Sequence, residues 1–65
     1  MEILLWQART NKGWGLEQLE KKSGVSKATL NRIENGQTSP TMDVMEKVAK
    51  ALNIRISDLY ESEYK

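Results

Sequence analysis

The positions of the chain-breaking residues limit this 65-residue chain to short elements. Gly, Asn and Pro residues interrupt it at 11–13, 15, 24, 35–36, 39–40 and 53. Within the longer intervening segments, apolar residues recur at spacings of three and four, and no sustained alternation indicates a strand. This pattern predicts five short helices joined by tight connections, forming one all-α domain over residues 1–65.

The composition excludes several classes of function. The chain has no Cys and no His, which removes disulfides, thiolate zinc sites and His-dependent catalysis. No apolar run approaches the ~20 residues of a membrane span, and the first residues lack the basic lead of a signal peptide. We therefore expect a cytoplasmic binding module without enzymatic activity, cofactor, metal site or small-molecule substrate.

Net charge says less about the partner. Ten Lys and Arg residues against nine Asp and Glu residues give a formal charge of +1. This balance is well below that of a strongly basic nucleic-acid binder. If the protein binds a polyanion, the electrostatic attraction must come from the placement of its positive charges, because the net charge is small.

The predicted helices span residues 2–10, 16–23, 27–35 and 42–52, and a last short helix begins after Ser57. Ser26 suits the start of the third helix, and either hydroxyl residue of the segment 39–41 can cap the fourth. Gly24 and Asn53 suit the left-handed conformation that ends a helix. The residues expected to face inward are Met1, Leu5, Ala8, Leu16, Leu19, Leu30, Ile33, Met42, Met45, Val48, Ala49 and Leu52.

Residues 16–35 follow the helix-turn-helix pattern of a short helix, a three-residue turn and a second short helix. Gly24 permits the sharp turn. The wedge between the two helices is filled by Leu19, Val25, Leu30 and Ile33. Polar side chains are then left on the outer face of the second helix. Such a helix fits the major groove of B-DNA, where its N-terminal residues reach base edges.

The chain also resembles the lambda-type phage repressor and Cro family, the Xre-type regulators. The matching residues are GVSKATLNRIENG at 24–36, SPT at 39–41, AKALNI at 49–54, SDL at 57–59 and Arg9. The resemblance covers nearly the whole chain and implies a five-helix, lambda-repressor-like domain. It also implies a small bacterial or phage-encoded transcriptional regulator that binds double-stranded DNA, with the helix at 27–35 in the major groove. A homodimer on a palindromic operator would place two such helices ~34 Å apart.

The resemblance assigns roles to particular residues. Base readout is expected from Lys27, Ala28, Asn31 and Arg32. Contacts to the DNA backbone are expected from Ser26, Thr29, Asn35, Gln37, Thr38 and Ser39. Arg9 and Glu34 match a pair that ties helix 1 to the end of helix 3. The candidate dimer surface consists of Ile54, Ile56, Leu59, Tyr60 and Tyr64.

Two residues depart from the family pattern. Glu20 stands where the family usually has a small residue, so its carboxylate must turn outward or pair, with Lys27 as a candidate partner. Leu16 stands where many members place a phosphate-binding Gln. Both departures point to a weaker or altered DNA surface on the same fold.

A second class of function stays open: a protein-interaction module, antitoxin-like or partner-binding, with the same fold and weak DNA binding. The low net charge and the two departures favour it slightly. By periodicity alone, the polar face of residues 27–32 is more typical of a solvent-exposed helix surface than of a DNA contact. Only the motif favours DNA binding by this face. Trp6 is ambiguous in the same way, with the core favoured over a partner surface.

Overall fold

Four α-helices form the body of the protein, and a short β-strand lies near each end of the chain. The computed structural model describes residues 1–65. In chain order the elements are β1 (Glu2–Ile3), α1 (Leu5–Asn11), α2 (Leu16–Ser23), α3 (Lys27–Glu34), α4 (Met42–Leu52), a 3₁₀ turn (Ile56–Leu59) and β2 (Tyr60–Glu61). The longest helix has 11 residues, and no helix has the length and apolar character needed to cross a membrane.

The ends of the central helices follow from local sequence. The Ser26 hydroxyl accepts the Thr29 amide at 3.2 Å, and Thr41 caps α4 by accepting the Val44 amide at 3.2 Å. Gly24 and Asn53 adopt the left-handed conformation, with φ of 76° and 58°, and end α2 and α4. These helix ends confirm the sequence prediction and leave only short connections between the elements.

One apolar core joins the helices and the 3₁₀ turn. Its buried members are Leu5, Leu19, Val25, Leu30, Ile33, Met45, Val48, Ala49, Leu52 and Leu59. Two residues predicted to face inward are instead exposed: Met1 by 78% and Met42 by 66%. Met1 precedes the first strand and Met42 is the first residue of α4, so both lie outside the packed stretches.

The predicted fifth helix does not form. Residues after the Arg55 cap make a single 3₁₀ turn, which begins before Ser57 because the Arg55 amide donates to the Asp58 carboxylate at 3.0 Å. Tyr60 and Glu61 then pair antiparallel with Ile3 and Glu2. Because this pairing joins the two ends of the chain, the local periodicity of apolar residues does not predict it. It also moves the start of the first helix from the predicted residue 2 to Leu5.

The pairing of β1 with β2 joins the two ends of the chain and positions Leu59 in the apolar core. The Leu4 amide donates to the Leu59 carbonyl at 2.8 Å, and the Leu59 side chain is 1% exposed. Because an aromatic and a β-branched residue pack well across a strand pair, Ile3 opposite Tyr60 suits this short sheet.

Truncation of Leu59 should therefore destabilise the whole domain. We expect Leu59→Ala to lower the free energy of unfolding by ~2–5 kcal/mol, from lost burial and the cavity left behind. A domain of this length has only about 3–10 kcal/mol in total, so a large part of the stability would be lost. Urea denaturation followed by circular dichroism measures the change. Tyr64→Ala, at a side chain 89% exposed, is the control, and a similar loss in both variants would contradict this role of Leu59.

Candidate nucleic-acid interface

The helix-turn-helix is formed by α2, the turn at residues 24–26 and α3. The Gly24 amide donates to the Glu20 carbonyl at 2.9 Å, and the Ser23 hydroxyl accepts the Val25 amide at 3.1 Å. Val25 is buried under the turn, and Leu30 and Ile33 bury the inner face of α3. These contacts fix which face of α3 remains on the surface.

The outer face of α3 brings the four predicted base-reading residues together. Lys27, Ala28, Asn31 and Arg32 are all exposed, and together with Gln37 they border one open depression. The Gln37 amide donates to the Arg32 carbonyl at 2.8 Å, which holds the loop after α3 against the helix end. The side chains of Lys27, Asn31, Arg32 and Gln37 thus form a polar surface along the helix, with the Ala28 methyl among them.

The predicted backbone-contacting residues lie at both ends of this surface. Ser26 is exposed before α3, and Asn35, Gln37, Thr38 and Ser39 are exposed after it. Thr29 differs, since it is half-buried and its hydroxyl accepts a hydrogen bond from the Ser26 hydroxyl at 2.8 Å. Thr29 is therefore engaged in the helix cap.

Arg9 and Glu34 form a two-point ion pair between α1 and the last residue of α3. The Arg9 Nε lies 2.7 Å from Glu34 Oε2, and its Nη2 lies 2.9 Å from Oε1. The Arg9 Nη1 also donates to the Trp14 carbonyl at 2.9 Å. The two side chains are only 12% and 7% exposed, and the hydrogen bond to Glu34 raises the pKa of Arg9 despite its desolvation. The Glu34 charge is thus neutralised away from the outer face of α3.

The two departures from the family pattern have different structural outcomes. Glu20 Oε2 accepts the backbone amide of Lys27 at 2.9 Å, so the expected partner is correct but the contact uses the amide rather than the ammonium. The Lys27 ammonium instead lies 3.1 Å from Glu17, a residue that the sequence reasoning did not select. Glu17 precedes Glu20 by three residues and therefore shares its helix face, and this spacing could have identified it as a second partner for Lys27. Leu16 is half-buried against the core.

Solvent exposure corrects two predictions, the burial of Trp6 near the N-terminus and the candidate dimer surface near the C-terminus. Trp6 is 55% exposed, so the favoured core interpretation is wrong, whereas Trp14 packs against the core. In the candidate dimer surface, Leu59 belongs to the core and cannot form an external contact without unfolding. Ile54, Ile56 and Tyr60 are half-buried against the core, and Tyr64 is exposed.

Comparison with known proteins agrees with this architecture. A family model described as Helix-turn-helix matches residues 7–59. The chain belongs to the Xre-type helix-turn-helix family. The matched range runs from α1 through the 3₁₀ turn and includes the whole outer face of α3. The predicted family and helical fold class are thus confirmed, with four α-helices and a small sheet in place of five helices.

Individual members of the family show the extent of the similarity. The HTH-type transcriptional regulator SutR of Escherichia coli is 43% identical over 57 residues, covering 88% of this chain and 32% of that protein. The regulator SinR of Bacillus subtilis is 40% identical over 63 residues, covering 89% of this chain and 57% of that protein. The solved N-terminal DNA binding domain of SinR superposes with a TM-score of 0.81 at 31% identity, covering 94% of this chain and 90% of that one. The chain thus spans about one third to just over half of these full-length relatives.

The Arg9–Glu34 pair should be a major determinant of stability. We expect Glu34→Gln to lower the free energy of unfolding by ~3–5 kcal/mol, because it leaves a nearly buried guanidinium without its counter-ion. Asp43→Asn is the control, since it breaks an exposed pair with Lys47 at 3.2 Å and should cost only ~0.3–0.5 kcal/mol. Urea denaturation of both variants measures the difference. Equal effects would show that the Arg9–Glu34 pair does not hold α3 in place.

Proposed function

We propose that this chain binds double-stranded DNA sequence-specifically, with α3 in the major groove, as the DNA-binding part of a transcriptional regulator. The proposal rests on the difference between the buried inner face and the exposed outer face of α3. Its inner face is buried by Leu30 and Ile33, its end is tied to α1 through Glu34, and its outer face is exposed and polar. A rigidly held helix with an exposed polar face is what insertion into the major groove requires.

The side chains of that face suit base recognition. The Arg32 guanidinium can donate two hydrogen bonds to the O6 and N7 atoms of guanine, and the Asn31 amide can pair with the N6 and N7 atoms of adenine. Lys27 can donate to guanine or to phosphate, and the Ala28 methyl suits the thymine methyl. All four are exposed on one helix face, so they can meet adjacent base pairs together.

Contacts to the DNA backbone would set the register of the helix. Ser26 before α3 and the exposed residues of the loop after it offer hydroxyl, amide and backbone donors at the two ends of the base-reading face. Such contacts orient a protein on the duplex without reading sequence. The SinR domain, a DNA binding domain of the same fold, supports DNA as the partner of this surface.

We further propose a homodimer on a palindromic operator. The C-terminal side chains Ile54, Ile56, Tyr60 and Tyr64 are the candidates for its contact, now without Leu59. Two copies of α3 would then enter successive turns of the major groove ~34 Å apart. Occupancy of the operator would block or recruit polymerase, and the regulator would act in the cytoplasm at the nucleoid.

A protein-interaction module is the second candidate, and one observation favours it. Trp6 is 55% exposed on α1, on a domain with a net charge of only +1. Exposed large apolar side chains are typical of partner surfaces when they belong to a patch. Salt separates the two candidates: DNA affinity should fall with a log–log slope of about −0.9 per phosphate contact, whereas apolar protein association should hardly change.

Selection of bound duplexes from a random DNA library tests the proposed function directly. We expect enrichment of an inverted repeat with half-sites about one helical turn apart. An enriched single site would keep DNA recognition and contradict the symmetric dimer. No enrichment by a folded protein at low salt would contradict the DNA-binding proposal and favour the interaction module.

Arg32 should contribute sequence preference rather than general affinity. We expect Arg32→Ala to relax discrimination at one position of the enriched sequence by ~1–3 kcal/mol, measured by competition among single-base variants of that duplex. Lys50→Ala, which removes an exposed positive charge from α4, is the charge-matched control and should leave the base preference unchanged. Uniform weakening on all duplexes by Arg32→Ala would instead assign Arg32 to a phosphate contact.

A further inference from the structure

The first turn of α3 is held by two carboxylates from α2. Glu20 accepts the Lys27 backbone amide at 2.9 Å, which satisfies one of the amide donors that the start of a helix leaves unpaired. Glu17 lies 3.1 Å from the Lys27 ammonium. The two acidic residues are three positions apart on α2 and therefore share the side that faces the start of α3. One bonds the backbone of Lys27 and the other its side chain.

The two contacts differ in how easily DNA could break them. Glu20 is half-buried and its partner is part of the backbone, so this contact belongs to the folded structure. In the Glu17–Lys27 pair the side chains are 80% and 51% exposed. Exposed pairs of this kind are weak and are screened by salt. The Lys27 ammonium can therefore leave Glu17 without disturbing the fold.

Lys27 stands between two surfaces. With Ala28, Asn31 and Arg32 it borders the depression on the outer face of α3. With Glu17 and Leu16 it borders a second hollow at the start of α2. Its ammonium turns toward Glu17, so the positive charge at the N-terminal end of the base-reading face is already paired within the protein.

We propose that Glu17 limits the affinity of the domain for DNA by competing with phosphate for Lys27. A phosphate that takes up the ammonium replaces one anion with another and leaves the Glu17 carboxylate unpaired beside the duplex. The exchange gains little electrostatic energy, so Lys27 adds little to general affinity. The preference for one DNA sequence over another then depends on the contacts of the remaining α3 residues. This inference rests on the proposed DNA-binding function.

The test measures the affinity of Glu17→Gln and of the unaltered protein for a duplex of arbitrary sequence and for the selected duplex, across a range of salt concentrations. The substitution keeps the side-chain shape and removes its charge. At low salt we expect affinity to rise roughly fivefold on both duplexes, which corresponds to one charge contact at about 4 Å in water. The log–log salt slope should steepen by about 0.9, because Lys27 then neutralises one more phosphate.

Two comparisons isolate the competition from the general change in charge. Glu63→Gln makes the same change in net charge at an exposed residue beyond β2 and should change affinity less. In a Lys27→Gln background, Glu17→Gln should lose most of its effect, since no ammonium remains to be released. Circular dichroism verifies that each variant is folded.

The possible outcomes separate this inference from the function on which it rests. If the unaltered protein binds DNA but Glu17→Gln gains no more than Glu63→Gln, or gains equally without Lys27, the competition is wrong and DNA binding stands. If neither the unaltered protein nor Glu17→Gln binds any duplex at low salt, the proposed function is wrong and the inference fails with it. A gain that needs Lys27 and steepens the salt slope supports both.

Discussion

The structure depends on burying one apolar core within a chain that is barely long enough to form one. A domain of this size removes only about 60% of its unfolded surface from water, so each element must contribute. Leu19, Leu30 and Leu52 are fully buried and come from three different helices, and Leu59 closes the core from the C-terminal side. The pairing of β1 with β2 brings that side into place. No part of the chain is large enough to keep such a core without the others.

The orientation of α3 follows from this core together with one polar interaction. Apolar contacts hold the inner face of the helix, but they are not directional. The two-point pair of Arg9 with Glu34 is directional, and it joins the last turn of α3 to α1, while the same guanidinium binds the Trp14 carbonyl. A helix held at its apolar face and at its C-terminal end presents its remaining face in one orientation. Recognition of bases depends on that property.

Charge in this protein is significant through its position rather than its total. The net charge of +1 gives little general attraction to DNA. Glu34 is neutralised inside the structure, and Glu20 is bound to the start of α3. Glu17 is the acidic residue that remains beside Lys27, at the edge of the outer face of α3. The proposed affinity limit is therefore a local consequence of where α2 places its carboxylates.

Residues close together in the sequence determined the helices and the helix-turn-helix. Ser26, Gly24 and Asn53 mark helix ends through their own backbone and side-chain chemistry, and the spacing of Leu19, Leu30 and Ile33 predicted the packed faces. The exposed face of α3 was predictable for the same reason. Motif resemblance, rather than spacing, indicated the partnership of Arg9 with Glu34.

Only the tertiary structure decided the contacts between distant segments. The pairing of β1 with β2, the burial of Leu59 and the exposure of Trp6 depend on which surfaces meet when the chain ends come together. The choice of Glu20 for the Lys27 amide and of Glu17 for its ammonium depends on the angle between α2 and α3. Local periodicity contains no information about these distances, because it describes which face of a helix is apolar and not which neighbour covers it.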